Sequence, residues 1–393
     1  MAATKNHLRR RGSHHDGRVT NVELFFDLVF VFAVTQLSHG LLAHMTALGA
    51  LQTALLMMGV WWVWIYTSWI TNWLDPEQLP VRLMLFVLMG AGLILAASIP
   101  EAFGQRGPIF AGAYIFMQVG RSLFMLWALK KHDRGNYRNF LRITSWLALA
   151  AIFWIVGGWV DPGHRLGWWI VALAIEYVSP AVGMWTPGLG RSTPADWKID
   201  GGHMAERCAL FVIIALGESV LMTGATFAEM EWNAEVLVAF AATFAGSVAL
   251  WAVYFNIGAE RASRLIAGSA DPGRLARSGY TYLHILIVAG IIVSAVANEI
   301  AMAHPHGHAS AGTVLVMLGG PVLYLVGTAL FKRLSAPNVP LSHLVGLGLF
   351  ALLALGAAYA TTLQLAVAAT AILIVVALWE SVSLRGRQAG EPA

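Results

Sequence analysis

The sequence predicts an all-α integral membrane protein, a bundle of about twelve transmembrane helices. Hydrophobic residues make up 58% of its 393 residues, charged residues make up only 12%, and apolar runs recur along the whole chain. A soluble domain carries roughly 25% charged residues, so half of that fraction cannot cover a surface that faces water everywhere. The remaining surface is expected to face lipid, where each crossing needs about 20 apolar residues.

Charged residues or clusters of Gly and Pro bound the apolar runs and define the predicted spans. In hydrocarbon every backbone N–H and C=O must be bonded within its own segment, and alternating barrel strands are absent, so the spans are predicted to be helices. The predicted spans are 22–43, 48–71, 81–100, 108–129, 141–160, 167–185, 207–227, 235–257, 280–300, 312–331, 341–360 and 363–381.

The basic residues predict the orientation of these spans. When the ends and loops are assigned alternately to two sides, all but three of the 25 lysines and arginines lie on the side of the N-terminus. Arg106 and Arg165 lie on the other side, and Arg121 lies within a span. Positive charge marks cytoplasmic loops, so both termini are predicted to be cytoplasmic. Because the topology accounts for the basic residues, no nucleic-acid partner is expected.

A segment rich in Gly and Pro divides the spans six and six. An acid in the first span of each half, Asp27 and Glu218, suggests that the halves are parallel repeats, an architecture that recurs in transporters. The predicted organisation is a basic cytoplasmic N-terminus (1–21), a first six-helix half (22–185), a cytoplasmic linker (186–206), a second six-helix half (207–381) and a cytoplasmic tail (382–393).

Ionisable side chains inside the spans are the candidate functional residues. A charged side chain at the bilayer centre costs about 2.5–3.5 kcal/mol, so these groups should face the protein interior or water. The candidates for an ion or proton pathway are Asp27, Glu218, Glu23, Glu176 and His284, with Arg121 as the charge-balancing base.

Two alternatives stay open for the first span, where Glu23 and Asp27 share one helix face. Asp27 is either a pathway carboxylate or a buried partner of Arg121 or of a helix end. Arg121 is expected to form an ion pair with one of the deep acids.

Prolines predict irregular helices at two places. Pro180, four residues after Glu176, is expected to kink the sixth span at that acid. Pro321, after two glycines, is expected to interrupt the tenth span.

The sequence contains no signature of a soluble enzyme. The single cysteine, Cys208, excludes a disulfide framework and a cysteine-based zinc site. No P-loop, Gly-x-Ser-x-Gly or His-Glu-x-x-His motif is present. No cofactor or metal site is predicted, and an enzymatic activity is not indicated.

The run Val22-Glu23-Leu24-Phe25-Phe26-Asp27-Leu28-Val29-Phe30-Val31-Phe32-Ala33-Val34 resembles the opening helix of the bacterial low temperature requirement A family. Glu206-Arg207, followed by Ile213-Ile214-Ala215-Leu216-Gly217-Glu218-Ser219-Val220, resembles the second block of that family. The resemblance covers nearly the whole chain. It implies a multi-pass protein of the bacterial inner membrane that is named for a growth phenotype in the cold, without an assigned biochemical activity.

A fainter resemblance concerns the first helix alone. Phe25-Phe26-Asp27, with Val29, Phe30 and Ala33, is similar to the Phe-Ser-Asp motif of the six-helix lysosomal and bacterial potassium channel family. In that family the motif helix lines the pore. Phe26 stands where the motif has serine, and Leu28 stands where glycine is usual.

The leading hypothesis is a channel for a cation or proton, or a proton-coupled transporter, embedded in the lipid bilayer. Asp27 and Glu218 would be its pathway carboxylates. One alternative is an intramembrane enzyme that acts on a lipid-like substrate with Glu218, His284 or His203 as acid–base groups. Another is a membrane scaffold or sensor needed for growth in the cold. The sequence is compatible with a homo-oligomer and identifies no transported species.

Overall fold

A computed structural model describes residues 6–9, 18–193, 196–197, 199–256, 272–334 and 338–388. Within these ranges the chain is helical almost throughout and forms no β-strand. The predicted all-α fold is therefore confirmed. Most of the predicted basic N-terminus (1–21), three linker residues (194, 195 and 198) and the end of the predicted tail lie outside the described residues.

Twelve long helices lie in the described ranges, in the order of the predicted spans. The first six are α1 (Asn21–Ala43), α2 (Ala47–Trp73), α3 (Leu79–Ser98), α4 (Gly107–Leu129), α5 (Arg134–Trp159) and α6 (Pro162–Val178). The remaining six are α7 (Gly201–Glu229), α8 (Ala234–Phe255), α9 (Gly273–Ala303), α10 (Ala311–Arg333), α11 (Leu341–Tyr359) and α12 (Thr362–Gln388).

Eleven of these helices are long and apolar enough to cross a membrane; among the described residues α6 is the shorter exception. It has 17 residues, or about 25 Å at the helical rise, against a hydrocarbon core of about 30 Å. Large apolar side chains such as Phe25, Leu83 and Leu352 are exposed along the helices. Lipid is the solvent that suits such a surface, and the chain is a multi-pass membrane protein.

The structure corrects both expectations about prolines. The sixth helix does not kink at Glu176; it ends at Val178, two residues before Pro180. The Glu176 carbonyl, which a proline at position 180 leaves without its helical donor, accepts a hydrogen bond from Ser179 Oγ at 2.8 Å. The tenth helix is not interrupted, because α10 continues through Pro321.

Several helices begin with a side-chain cap. Asp133, Asn233 and Ser310 precede α5, α8 and α10, and each accepts a hydrogen bond from the backbone N–H three residues later. These caps bond N–H groups that the first helical turn leaves without a partner. The sequence thus marks these starts with its own polar residues.

By its internal contacts the chain divides into two compact units. The first comprises Met1–Gly40, Leu48–Arg207 and Ala270–Arg274. The second comprises Leu41–Ala47, Cys208–Ser269 and Leu275–Ala393. Within the described residues, the boundaries fall inside α1, α2, α7 and α9. The predicted six-and-six division and the internal repeat stay predictions.

Indole rings fill the core of the first unit. Trp64 of α2, Trp154 of α5 and Trp169 of α6 are fully buried, and the rings of Trp154 and Trp169 lie 5.3 Å apart. Gly157 permits this packing, because a Cβ there would lie 2.5 Å from Trp169 Cδ1. Aromatic packing therefore holds α5 against α6.

Small residues bring α9 and α10 together in the second unit. A Cβ on Gly290 would lie 2.6 Å from the Tyr324 backbone nitrogen, and one on Gly320 would lie 2.6 Å from the Ser294 backbone nitrogen. Such close approach of backbones is the usual role of small residues between helices in membranes. It also positions Ser294 deep in this unit.

Candidate functional site

Asp27 lies on α1 in the first unit, where its side chain is fully buried and paired with Arg207. Its Oδ1 atom accepts hydrogen bonds from Arg207 Nη2 at 2.7 Å and from Trp64 Nε1 at 2.8 Å. The guanidinium also contacts Ser68 Oγ at 3.2 Å and lies over the Trp64 ring at 5.6 Å. The partner of Asp27 is therefore Arg207 and not Arg121.

This ion pair is only partly satisfied within the described part of the chain. The second carboxylate oxygen, Asp27 Oδ2, and the second terminal nitrogen, Arg207 Nη1, are buried without a hydrogen-bond partner. A buried ion pair is stable only when its remaining lone pairs and protons are also bonded. The pair thus retains one strong acceptor and one strong donor that can bind a proton, water or an ion.

Glu23 lies one helical turn before Asp27 and is bonded at both oxygens. Its Oε1 contacts His203 Nε2 at 2.8 Å, and its Oε2 accepts a hydrogen bond from Arg9 Nη2 at 3.0 Å. Oε2 also accepts from the backbone N–H of Thr20 at 2.9 Å. Thr20 and Glu23 form the capping box that begins α1, so Glu23 combines a structural contact with a buried charge.

Hydrogen-bond donors and one acceptor surround the two ring nitrogens of His203. Asn72 and the Asp200 backbone exchange two hydrogen bonds of 2.8 Å, which fix the orientation of the Asn72 amide. The Asn72 NH₂ group then faces His203 Nδ1 at 3.2 Å. Because that group is a donor, it favours Nδ1 as the acceptor and Nε2–H as the donor to Glu23, whereas Arg9 Nη2, a donor 3.1 Å from Nε2, favours the opposite tautomer.

The two pairs form a ladder of two rungs between α1 and the start of α7. Glu23 and Asp27 are four residues apart, as are His203 and Arg207, so each set lies on one helix face. Both rungs join residues that are 180 positions apart in the chain. We call Glu23, Asp27, His203 and Arg207 the charge ladder. It is a concentrated, buried arrangement of opposite charges in a membrane span.

Glu176 belongs to a different cluster in the same unit. Its Oε1 accepts a hydrogen bond from Trp154 Nε1 at 3.1 Å, and its Oε2 accepts from Tyr114 at 2.5 Å and Gln118 at 3.3 Å. Both carboxylate oxygens are bonded.

Arg121 lies beside this cluster and makes no ion pair with a carboxylate of the described residues. It donates to the Val63 carbonyl at 2.8 Å, to Thr67 Oγ1 at 2.7 Å and to Gln118 Oε1. Gln118 therefore links it to Glu176. The direct ion pair expected from the sequence is replaced by neutral oxygen acceptors, and a charge-balancing role for Arg121 stays a prediction.

In the second unit Glu218 and His284 have opposite surroundings. Glu218 is buried on α7, and its carboxylate forms no hydrogen bond with the described residues. His284 contacts the Tyr254 hydroxyl at 2.8 Å through Nε2 and the Gly279 carbonyl at 2.9 Å through Nδ1. Both ring nitrogens of His284 are occupied, which suits a structural residue better than an acid–base group.

Sequence reasoning missed several buried charged residues. Arg207, the first residue of the predicted seventh span, was counted with the basic residues of the cytoplasmic side, although its spacing from His203 repeats that of Glu23 and Asp27. Lys332 was also assigned to a loop, yet its Nζ lies 2.7 Å from both carboxylate oxygens of Glu380 and is buried. Both bases lie near the ends of spans, where hydropathy alone does not separate a loop base from a buried one.

Within the described ranges, no group of three or more His, Cys, Asp and Glu side chains is placed to hold a metal ion. The charge ladder and the Glu218 carboxylate thus remain the strongest candidates for functional chemistry. Their donors and acceptors suit protons and small ions.

Comparison with known proteins places the chain in a family. The family model of the bacterial low temperature requirement A protein (LtrA) matches residues 18–378. The uncharacterized protein RA0937 of Rhizobium meliloti (strain 1021) is 41% identical over 386 residues, which cover 98% of this chain and 94% of the relative. No solved structure matches the chain. The chain belongs to the bacterial low temperature requirement A family of multi-pass membrane proteins.

Proposed function

We propose that this protein is a proton or cation channel or a proton-coupled transporter of the bacterial inner membrane, and that Asp27 binds the proton. One observation carries the proposal: Asp27 is buried in a span, with one oxygen held by Arg207 and Trp64 and the other without a partner. A carboxylate kept only for packing would have both oxygens bonded.

The Asp27–Arg207 pair supports a coupling mechanism. A proton that binds to Asp27 Oδ2 neutralises the carboxylate and leaves Arg207 as an uncompensated cation. An unpaired buried charge is strongly unfavourable, so Arg207 is driven to a new acceptor or to water. Protonation thus changes which arrangement of α1 and the start of α7 is favoured, which is the requirement for coupling.

Glu23 and His203 are proposed to carry the proton to or from Asp27. Four residues along a helix correspond to a rise of about 6 Å, so this rung lies one turn from Asp27. In the tautomer that donates Nε2–H to Glu23, a proton taken up at Nδ1 of His203 would let the Nε2 proton pass to the Glu23 carboxylate. Both termini are proposed to be cytoplasmic on the basis of the basic loops, which puts this rung on the cytoplasmic side of Asp27.

Glu218 is proposed as a pathway carboxylate of the second unit. It is buried in a span, and no described residue bonds its carboxylate. The intramembrane enzyme alternative is weakened because both nitrogens of His284 are occupied.

Flux measurements in liposomes test this proposal. The purified protein is reconstituted, and proton and potassium movement is followed after a pH or potassium gradient is applied. We expect flux above that of empty vesicles, and loss of it in Asp27→Asn and in Glu218→Gln. Glu77→Gln, which alters only an exposed pair with Arg82, is the control and should keep wild-type flux.

Wild-type flux equal to that of empty vesicles would contradict the proposal, as would unchanged flux in both carboxylate variants. In that case, lower stability of these variants would favour the scaffold or sensor alternative.

A further inference from the structure

The second unit contains a small cavity lined by residues of its membrane-spanning helices, most of them apolar. Its volume is about 30 Å³. Four of its lining residues, Ser247 of α8, Ser294 and Asn298 of α9 and Thr370 of α12, carry polar side chains. A volume of roughly 10–15 Å³ admits one water molecule, so the cavity has room for one small ion with little or no hydration. It is separate from the charge ladder, which belongs to the first unit.

Two of the hydroxyl groups that line this cavity donate their hydrogens to backbone carbonyls. Thr370 Oγ1 donates to the Ala242 carbonyl at 3.0 Å, and Ser247 Oγ donates to the Thr243 carbonyl at 3.2 Å. These hydroxyl hydrogens are used within the protein. Thr370 Oγ1 keeps its lone pairs for a ligand, and Ser247 Oγ keeps one, because its other lone pair faces Ser219 Oγ at 3.3 Å.

The Asn298 side chain also donates a hydrogen bond within the protein. Its Nδ2 atom donates to Ser219 Oγ at 3.2 Å. This bond uses one of the two amide hydrogens, and the amide oxygen is available as an acceptor for a ligand. The cavity is thus richer in acceptors than in donors.

Two further oxygens have lost or lack a protein partner. Pro321 of α10 has no N–H, so the Met317 carbonyl lacks the donor that the fourth following residue supplies in a regular helix. Met317 and Pro321 both line the cavity. Ser294 is only 6% exposed, and its Oγ atom has no hydrogen-bond partner among the described residues. Ser294 also lines the cavity. An unbonded buried hydroxyl is costly unless a ligand satisfies it.

We propose that this cavity binds a small monovalent cation of the size of sodium. Hydroxyl, amide and carbonyl oxygens are the ligands of such hard cations, and carbonyls freed in broken or proline-containing helices bind them in transporters. An anion would be bound by several donors, and the lining offers only the Ser294 hydroxyl hydrogen and the second Asn298 amide hydrogen. A divalent cation would need carboxylates, and none lines the cavity.

This inference goes beyond the proposed proton pathway, because binding is expected whether or not the protein moves an ion. Its test is therefore made on the purified full-length protein without a flux assay. Binding of radioactive ²²Na⁺ and the thermal unfolding midpoint are measured as sodium replaces choline at constant ionic strength. We expect saturable binding of one sodium ion per chain, with a matching rise of the midpoint.

Two variants remove ligands without adding volume. Ser294→Ala and Thr370→Val should each raise the Kd for sodium about tenfold or more. Each variant removes one of the hydroxyl oxygens that would coordinate the charged ion. Thr223→Val is the matched control: its hydroxyl is buried in the same unit and donates to the Ser219 carbonyl, but Thr223 does not line the cavity.

The control should keep wild-type sodium affinity. Absence of saturable sodium binding in the wild-type protein would overturn the inference. So would an unchanged Kd in both Ser294→Ala and Thr370→Val when circular dichroism shows native helix content. If one variant fails to fold, the Kd of the other decides the outcome.

Discussion

Asp27 and Glu176 are both buried carboxylates of the first unit, and they differ in how their oxygens are bonded. Glu176 has hydrogen-bond donors on both oxygens and no arginine or lysine within ion-pair distance in the described ranges. Asp27 has an arginine on one oxygen and no donor on the other.

We propose that this difference separates a structural carboxylate, Glu176, from a proton-binding one, Asp27, although the sequence predicted both as pathway residues. Full hydrogen bonding rigidifies a buried polar group, whereas a partly bonded ion pair can gain a proton or change its partner. Glu176 joins α4, α5 and α6 through Tyr114 and Trp154. Asp27 joins α1 to Arg207 and keeps one oxygen available.

The largest effect on stability is expected from Arg207→Met. This change leaves Asp27 as an uncompensated buried carboxylate, which costs about 3–5 kcal/mol of unfolding free energy. Unfolding by denaturant in detergent micelles measures it. Arg82→Met, which breaks an exposed pair with Glu77, is the control and should cost less than about 1 kcal/mol.

If the uncompensated charge of Asp27 causes the loss of stability in Arg207→Met, removing that charge should restore stability. Asp27→Asn in the Arg207→Met background should recover part of the lost stability. Equal stability of Arg207→Met and Arg82→Met would show that Asp27 does not depend on its arginine.

Tyr114→Phe tests the structural side of the comparison. The variant removes one donor from Glu176 while keeping the ring, so it should lower the unfolding free energy by about 1–3 kcal/mol. Transport should persist in the folded fraction. A loss of transport larger than the loss of folded protein would mean that Glu176 also belongs to the pathway.

Thr20→Ala should have the smallest of these effects. It removes the side-chain half of the capping box at the start of α1, which is worth about 1 kcal/mol. Thr20→Ser keeps a hydroxyl and should retain most of the stability. If the alanine and serine variants unfold alike, Thr20 does not cap the helix, and another group must orient Glu23.

Much of the fold could be predicted from the sequence, because each span is a local apolar run whose backbone has no alternative to a helix in lipid. The prolines were harder. Pro180 and Pro321 have the same local effect, yet one follows a helix end and the other lies within a continuous helix. The outcome depends on packing with neighbouring helices, which no local pattern encodes.

The site could be predicted only in part. Burial of Asp27 and Glu23 follows from their position in an apolar run, but the identity of their partners does not. Arg207 and His203 lie 180 positions further along the chain. A count of loop charges treats Arg207 as a marker of the cytoplasmic side. Only the tertiary pairing distinguishes it from a solvated arginine, and only the positions of Tyr114 and Trp154 distinguish Glu176 from Asp27.

Proton flux compared between Asp27→Asn and Glu176→Gln tests the central claim most directly. Both variants replace a buried carboxylate by its neutral amide, and both are reconstituted at equal amounts of folded protein. We predict that Asp27→Asn reduces flux to that of empty vesicles, whereas Glu176→Gln retains most of the wild-type flux. Retained flux in Asp27→Asn, or equal loss in the two variants, would contradict the assignment of Asp27 as the proton-binding residue.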